Sequence, residues 1–371
     1  RNLFIKLEQW KNKKKRKPLI IQGARQVGKT WIMKEFGARY YKDTIYINFD
    51  NNEIMKKVFE IDFDISRIIS SIKIEYGKSF DPEDTLIIFD EIQEAPKALA
   101  ALKYFYENAP QYTIMAAGSL LGVALYQGTS FPVGKVDFMQ LFPLNFSEFL
   151  CALGENQLAQ LLESNDYKLI NAYSTKYTDL LRKYYYIGGM PEAVQTFIET
   201  DDFYEVREIQ KSLLKYYEED FSKHAPKEVV PRIMMVWNSI PSQLAKENRK
   251  FIYGAMREGA RAKDFELAIQ WLEDAGLIIR NYRVKKPDIP LIAYMEMSSF
   301  KMFMLDVGLL GAKASIHAKV LLDGCRIFEE FKGALTEQFV AQQLKSSGRE
   351  LYYYSTENSS GEIDFVIQQE M

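Results

Sequence analysis

The sequence has few of the residues that build disulfide frameworks and zinc sites. Its 371 residues include two cysteines, Cys151 and Cys325, and two histidines, His224 and His317. The cysteines are too few and too far apart in sequence for a disulfide framework or a cysteine-based metal site. The histidines lack Cys or His neighbours, so there is no zinc-binding pattern. This composition favours a reducing cytoplasm.

The chain also lacks long apolar runs and a strong net charge. No run of about 18 apolar residues occurs and no signal peptide opens the sequence, so we expect neither membrane insertion nor export, although a chain beginning at Arg1 leaves an unseen leader open. The formal net charge is −2, which gives no global positive field for nucleic acid. A local basic run over 11–17 fits either a nucleic-acid or acidic-partner contact or a solvated linker.

One motif for binding phosphates stands near the start of the chain. An apolar run ends at Gln22, and helical apolar spacing follows Thr30. Between them lies the pattern G-x-x-x-x-G-K-[ST], whose residues are Gly23, Ala24, Arg25, Gln26, Val27, Gly28, Lys29 and Thr30. Such a loop directs backbone N–H groups at phosphate oxygens, the lysine reaches the β- and γ-phosphates, and the hydroxyl ligates Mg²⁺. The alternative is an ordinary glycine-rich turn between a strand and a helix.

A second motif supplies carboxylates. The segment 85–91 reads Thr-Leu-Ile-Ile-Phe-Asp-Glu, so four apolar residues lead into Asp90 and Glu91. A continuous apolar run is typical of a parallel strand covered on both faces, and ligands bind at the carboxyl ends of such strands. We predict that Asp90 orients Mg²⁺ and that Glu91 polarises the attacking water. The alternative is that both acids simply open a loop.

Further strands and helices alternate over the first 150 or so residues. Apolar strand patterns recur at 44–50, 113–119 and 136–142. This order predicts an α/β fold, a P-loop NTPase core with a mostly parallel sheet and helices on both faces. Ser119 ends one of these strands, where P-loop ATPases with a strand inserted between the two nucleotide motifs carry a polar sensor. It equally fits a helix cap.

Four segments together resemble one family, the AAA-like prokaryotic ATPases with a C-terminal domain of unknown function. They are the phosphate loop, the strand ending at Glu91, the Leu-Phe-Pro-Leu-Asn-Phe-Ser-Glu-Phe segment at 141–149, and Gly-Gly-Met-Pro-Glu-Ala at 188–193. The resemblance implies ATP as the nucleotide, which the lack of a GTPase-type Asn-Lys-x-Asp motif also favours. One departure is Lys135, where the family tends to have Arg before the Phe-Pro-Leu segment, so a phosphate-sensing role there is in doubt.

The resemblance extends to the part of the chain after the ATPase core. Helical patterns over 156–225 look like the lid of the family, and the resemblance implies that Pro191 approaches the base or ribose of the nucleotide. The alternative is a turn between two helices at 188–191. Helix, turn, helix and hairpin between 229 and 285 follow the order of a winged helix. Acidic residues share its second helix, so packing against protein or a regulatory role is favoured over DNA reading.

The last segment mixes strands and helices. Glu337 on a helix and Asp364 in a later strand resemble the first acidic positions of restriction-endonuclease-like folds. Metal-dependent cleavage also needs a further acid and a lysine on the next strand, and the sequence stops at Met371 before such a strand. We therefore favour plain surface charges for Glu337 and Asp364.

These observations predict four domains: an ATPase core at 1–155, a helical lid at 156–226, a winged helix at 227–286 and a small α/β domain at 287–371. The predicted function is an ATP hydrolase that acts as a nucleotide-driven switch or motor, with ATP and Mg²⁺ as ligands. The alternatives are an ATP-gated DNA-binding protein or endonuclease, and a scaffold that binds nucleotide without turnover. A protein partner or self-association is expected, DNA is possible, and a membrane is not expected.

Overall fold

The computed structural model describes residues 1–118, 132–246, 249–322, 329–356 and 361–369. The chain divides into two compact units, Arg1–Leu141 and Phe142–Met371. In the part of the chain that is described, no helix combines the length and the apolar character needed to cross a membrane.

The first unit is built on a parallel sheet. Its strands are β1 (Leu19–Gln22), β2 (Asp43–Asn48), β3 (Thr85–Asp90), β4 (Thr113–Ala117) and β5 (Asp137–Gln140). Their order is β2-β3-β4-β1-β5, and each described pair is parallel. Its helices are α1 (Leu3–Lys11), α2 (Lys29–Tyr40), α3 (Glu53–Ile61), α4 (Ile65–Tyr76) and α5 (Pro96–Asn108). The predicted α/β class and parallel sheet are confirmed.

Strand β4 lies between the two strands that carry the motifs. Ile20 of β1 pairs with Ala116, and Phe89 of β3 pairs with the same residue from the other side. The predicted inserted strand is therefore present. Because the carboxyl ends of parallel strands meet at one edge, this order brings the loop after β1 and the acids that end β3 to the same edge.

Aromatic rings fill the core on one side of this sheet. Phe49, Phe59 and Phe89 are fully buried and make mutual edge-on contacts with ring centroids 5.6 Å apart. Phe105 of α5 meets Phe89 at 6.1 Å. Edge-to-face rings at such separations add stabilisation beyond their buried area. The end of β3, from which Asp90 projects, is thus fixed by packing.

The second unit begins with helices and ends with a mixed sheet. Its helices are α6 (Phe146–Ala152), α7 (Asn156–Glu163), α8 (Tyr167–Ala172), α9 (Ser174–Ile187), α10 (Pro191–Thr200), α11 (Phe203–His224), α12 (Val230–Leu244), α13 (Ala262–Asp274), α14 (Val307–Lys313), α15 (Ala318–Leu322) and α16 (Glu329–Ser346). Its strands are β6 (Ile278–Val284), β7 (Met295–Met304), β8 (Tyr352–Ser355) and β9 (Glu362–Val366), in the order β7-β6-β8-β9.

A short extended stretch between α12 and α13 joins this sheet. Lys250 forms an antiparallel bridge with Lys301 of β7, and the Phe251 N–H donates to Phe300 O at 2.9 Å. Strands β6 and β7 themselves form an antiparallel pair. The order is therefore helix, bridging residue, helix and hairpin, with the bridge closing onto the second strand of the hairpin.

Candidate functional site

The loop between β1 and α2 turns through backbone conformations that favour glycine. Gly23 has φ +151° and Gly28 has φ +94°, while Gln26 between them has φ 63°. A Cβ on Gly23 would also clash with the carbonyl of Leu141. Gly23 and Gly28 thus serve the tight turn that the motif predicted.

Lys29 begins α2 and folds back into this loop. Its side chain is buried, and Nζ donates to Gly23 O at 2.9 Å and to Ala24 O at 2.7 Å. Burial lowers the pKa of Lys29 to about 8, although the carboxylates of Glu91 and Asp90 act in the opposite direction. Phosphate oxygens carry negative charge, so they are stronger hydrogen-bond acceptors for this ammonium than the two neutral carbonyl oxygens.

We predict a pH dependence of ATP affinity from this pKa. Phosphate oxygens raise the pKa of a nearby ammonium, so binding near pH 8 takes up part of a proton. The affinity should be constant up to about pH 7 and fall by about tenfold per unit above pH 8, because only the protonated lysine pairs with phosphate. Calorimetry in two buffers of different ionisation enthalpy measures the proton uptake.

The same shift has a stability consequence with a defined sign. Between pH 8 and 10.5 the unfolded chain holds a proton on Lys29 that the folded chain has released. This group therefore raises the free energy of unfolding as the pH rises through that window. A Lys29→Met variant should lose both effects, and a wild-type affinity that stays flat from pH 7 to 9 would contradict the assignment.

Thr30 and Asp90 meet across the edge of the sheet. Thr30 Oγ1 donates to Asp90 Oδ2 at 2.6 Å, so the hydroxyl and the carboxylate predicted to hold Mg²⁺ are adjacent. Tyr46, on the neighbouring strand β2, donates to the same oxygen at 2.9 Å. An all-oxygen pair of one hydroxyl and one carboxylate fits Mg²⁺, which takes its other ligands from waters and phosphates. In the described residues no cluster of three or more His, Cys, Asp or Glu side chains is arranged to hold a metal by itself.

Glu91 follows in a strained conformation. Its φ of 49° and ψ of 45° are left-handed, which is rare for a residue with a side chain. Its N–H donates to Asp90 Oδ1 at 3.1 Å, and Gln93 Nε2 donates to Glu91 Oε2 at 2.6 Å. Such strain costs of order 1–3 kcal/mol and persists where the surroundings impose it, often at active sites.

Comparison with known proteins agrees with this geometry. Residues 15–150 match the family model of an AAA domain. These residues form an AAA domain. Two further models match later parts of the chain, both described as domains of unknown function: DUF8612 at 178–320 and DUF4143 at 332–371. The predicted arrangement, an AAA-like P-loop ATPase core followed by C-terminal domains of unknown function, is confirmed.

One solved structure shares this fold. The Walker-type ATPase Paby2304 of Pyrococcus abyssi is similar over 84% of this chain and 94% of its own, with 15% sequence identity and a TM-score of 0.52. RuvB of Thermotoga maritima is matched over 76% of this chain and 89% of its own, at 14% identity and a TM-score of 0.34. The search of curated proteins found no match.

Two predicted site residues lie outside the described part of the AAA domain. Ser119 lies outside the described residues. Pro191 is in the second unit, where it is the first residue of α10. Lys135, the doubtful phosphate sensor, pairs with Glu107 at 2.8 Å within the first unit.

The two glycines before Pro191 make close backbone contacts inside the second unit. Gly189 N–H donates to Asp306 Oδ2 at 2.6 Å, and Leu144 N–H donates to Gly189 O at 2.7 Å. A Cβ on Gly188 would clash with the Asp306 carboxylate, and one on Gly189 would clash with the Leu144 carbonyl. The Phe-Pro-Leu and Gly-Gly-x-Pro segments, which carried the family resemblance, therefore form one packed junction.

Glu337 and Asp364 are brought together around a buried lysine. Lys301 of β7 is 1% exposed, and its Nζ lies 3.3 Å from Glu337 Oε2 and 2.8 Å from Asp364 Oδ1. Glu362 also pairs with Lys301, and Arg249 pairs with Glu337. The expectation of plain surface charges is wrong for Glu337, which is 7% exposed. Burying a carboxylate is tolerated here because two cations neutralise it.

Sequence reasoning missed Tyr46, Gln93 and Lys301. Gln93 was within reach, since it lies only two residues beyond Glu91, the last residue of the second motif. Tyr46 required knowledge that β2 pairs with β3, where Tyr46 is the register partner of Ile88. Lys301 gave no local signal.

Proposed function

We propose that the chain is a Mg²⁺-dependent ATP hydrolase that works as a nucleotide-driven switch or motor. The observation that carries the proposal is the meeting of Thr30 and Asp90 at 2.6 Å beside Lys29, with Glu91 next in the chain. This meeting supports the proposal, because a lysine, a hydroxyl, a carboxylate and a candidate base are the groups that P-loop enzymes use for phosphoryl transfer to water.

Each residue of the proposed site has a role in ATP hydrolysis that follows from its chemistry. Backbone N–H groups of the loop and the Lys29 ammonium bind the β- and γ-phosphates. Thr30 and Asp90 would hold Mg²⁺, which would supply positive charge against the negative charge that develops on the phosphate oxygens. The Glu91 carboxylate accepts a proton from the attacking water. ADP then leaves as the γ-phosphate transfers to that water.

The experiment is an assay of phosphate release from ATP by the whole chain. Release is expected with Mg²⁺ and is expected to stop when EDTA removes the metal, whereas binding of a fluorescent ATP analogue should saturate in the presence of Mg²⁺. Absence of saturable nucleotide binding at millimolar ATP would overturn the proposal. Binding without release would instead support a nucleotide-binding scaffold.

A second proposal concerns the C-terminal half. We infer that residues 227–286, together with β7, form a winged helix that contacts protein rather than DNA. The bridge between Lys250 and Lys301 supports the fold, because it adds the short strand that joins helix and hairpin. The charges of α13 support a protein partner over DNA. Asp264 and Glu266 place negative charge on this helix, which would repel DNA phosphates, and Glu273 pairs with Arg280, so that this arginine is already neutralised.

The endonuclease hypothesis finds less support. Lys301 and Arg249 already neutralise the carboxylates of Glu337 and Asp364. An assay of Mg²⁺-dependent nicking of plasmid DNA, with Asp364→Ala as the control, tests this alternative; nicking by the wild type that the variant loses would establish it.

A further inference from the structure

Glu91, the proposed general base, is held by a side chain that the two nucleotide motifs do not include. Gln93 lies on the short 3₁₀ turn Ile92–Glu94 that follows β3, and Ile92 anchors this turn in the core. The Gln93 amide Nε2 donates to Glu91 Oε2 at 2.6 Å. A carboxylate only accepts hydrogen bonds, so the amide nitrogen must face it and the amide oxygen must point elsewhere.

That amide oxygen has an unusual environment. Gln93 Oε1 is buried and has no hydrogen-bond partner in the chain as described. A buried acceptor without a donor costs about 1–3 kcal/mol. This unfavourable group lies two residues from Glu91, whose φ of 49° is itself strained. Buried unsatisfied groups of this kind call for an explanation, and a need to hold the Glu91 carboxylate with the other end of the amide is one.

We propose that Gln93 positions the Glu91 base and, through it, the attacking water. Its Nε2 fixes Oε2 of Glu91 and so sets the direction in which that carboxylate meets the water. The inference rests on the proposed hydrolysis of ATP and adds a residue to it.

The step balances without any further reactant. The water oxygen forms a bond to the γ-phosphorus as the bond to the bridging oxygen of ADP breaks and its electron pair leaves with ADP. The proton released by the water goes to Glu91. Gln93 neither gains nor loses a proton, and its role is to restrict the direction from which the water attacks.

The kinetic test compares two substitutions that each remove a Gln–Glu hydrogen bond. Gln93→Leu removes the amide beside Glu91. Gln195→Leu removes the exposed pair with Glu199 in α10, far along the chain, and serves as the control. We expect Gln93→Leu to lower kcat by about 10- to 100-fold with an unchanged KM and an unchanged ATP dissociation constant. The control variant should keep the wild-type kcat.

A solely structural role would give a different pattern. It would lower the melting temperature and weaken ATP binding together. A Gln93→Leu enzyme with kcat within twofold of the wild type would overturn the inference. Gln93→Asn offers a milder change that keeps the amide but shortens its reach, and it should fall between the two.

A structural readout separates this inference from the proposed function. In a crystal structure with Mg²⁺ and a non-hydrolysable ATP analogue, we expect a water within hydrogen-bond distance of Glu91, with Gln93 Nε2 still donating to Glu91 Oε2. A Gln93 amide turned away from Glu91 in that complex would contradict the inference even if ATP is hydrolysed. Failure of the wild type to release phosphate would contradict the proposed function. The crystal structure with the ATP analogue would still show whether Gln93 contacts Glu91 when nucleotide is bound.

Discussion

Glu91→Gln is expected to lower phosphate release by about 100-fold or more while the chain still binds ATP. An amide cannot take a proton from water, and loss of a general base costs about 10²–10⁴ in rate. The amide has nearly the size of the carboxylate, and its oxygen still accepts the hydrogen bond from Gln93. Nucleotide affinity should stay the same or increase, since one negative charge near the γ-phosphate is lost.

The measurements are single-turnover phosphate release and equilibrium binding of ATP. Glu94→Gln is the matched control, because it makes the same chemical change three residues along the chain on an exposed side chain. The melting temperature should be equal in the wild type and in both variants. Glutamine has nearly the size of glutamate, so the left-handed backbone at position 91 is equally strained with either residue. A Glu91→Gln protein that retains more than a tenth of the wild-type rate would exclude Glu91 as the base.

The first unit was largely predictable because its signals are local in sequence. The phosphate loop occupies eight consecutive residues, Gly23 to Thr30, and the acids follow directly on an apolar strand. Parallel strands bring their carboxyl ends to one edge, so the meeting of Thr30 and Asp90 followed from the fold class. The partner of Asp90 on the neighbouring strand, Tyr46, did not, because strand register is set by packing between distant segments.

The C-terminal helix α16 shows where such reasoning fails. Its buried face carries Glu337, Gln338 and Gln342 beside small and apolar residues, so apolar spacing does not identify it. Gln338 bonds to both backbone groups of Met304, and Gln342 donates to Asp306. These partners lie some 35 residues earlier in the chain. A buried polar helix is tolerated only when each group finds its partner, and no local pattern reveals partners at that distance.

The polar contacts of α16 continue into the glycine junction. Gln342 Nε2 donates both to Asp306 Oδ2 and to Tyr184 O–H, at 3.0 Å each, and the Tyr184 hydroxyl donates to Leu144 O at 2.6 Å. Burial raises the pKa of the Asp306 carboxyl, while the Gly189 and Leu309 N–H groups act in the opposite direction. The junction therefore links the segment that opens the second unit to its last helix through a fully buried network.

Gly189→Ala is expected to destabilise the second unit by about 3 kcal/mol or more, because the added Cβ would clash with the Leu144 carbonyl and lie 2.8 Å from the Leu144 nitrogen. Backbone atoms cannot move aside as a flexible side chain does, and a shift would break the hydrogen bonds to Leu144 and Asp306. Gly254→Ala is the matched control, since a Cβ there meets no atom within 4 Å. Chemical unfolding measures the difference. If the Gly-Gly-x-Pro segment instead contacts the nucleotide through Pro191, Gly189→Ala would weaken ATP binding at unchanged stability, so the two measurements together decide between a packing role and a binding role for this segment.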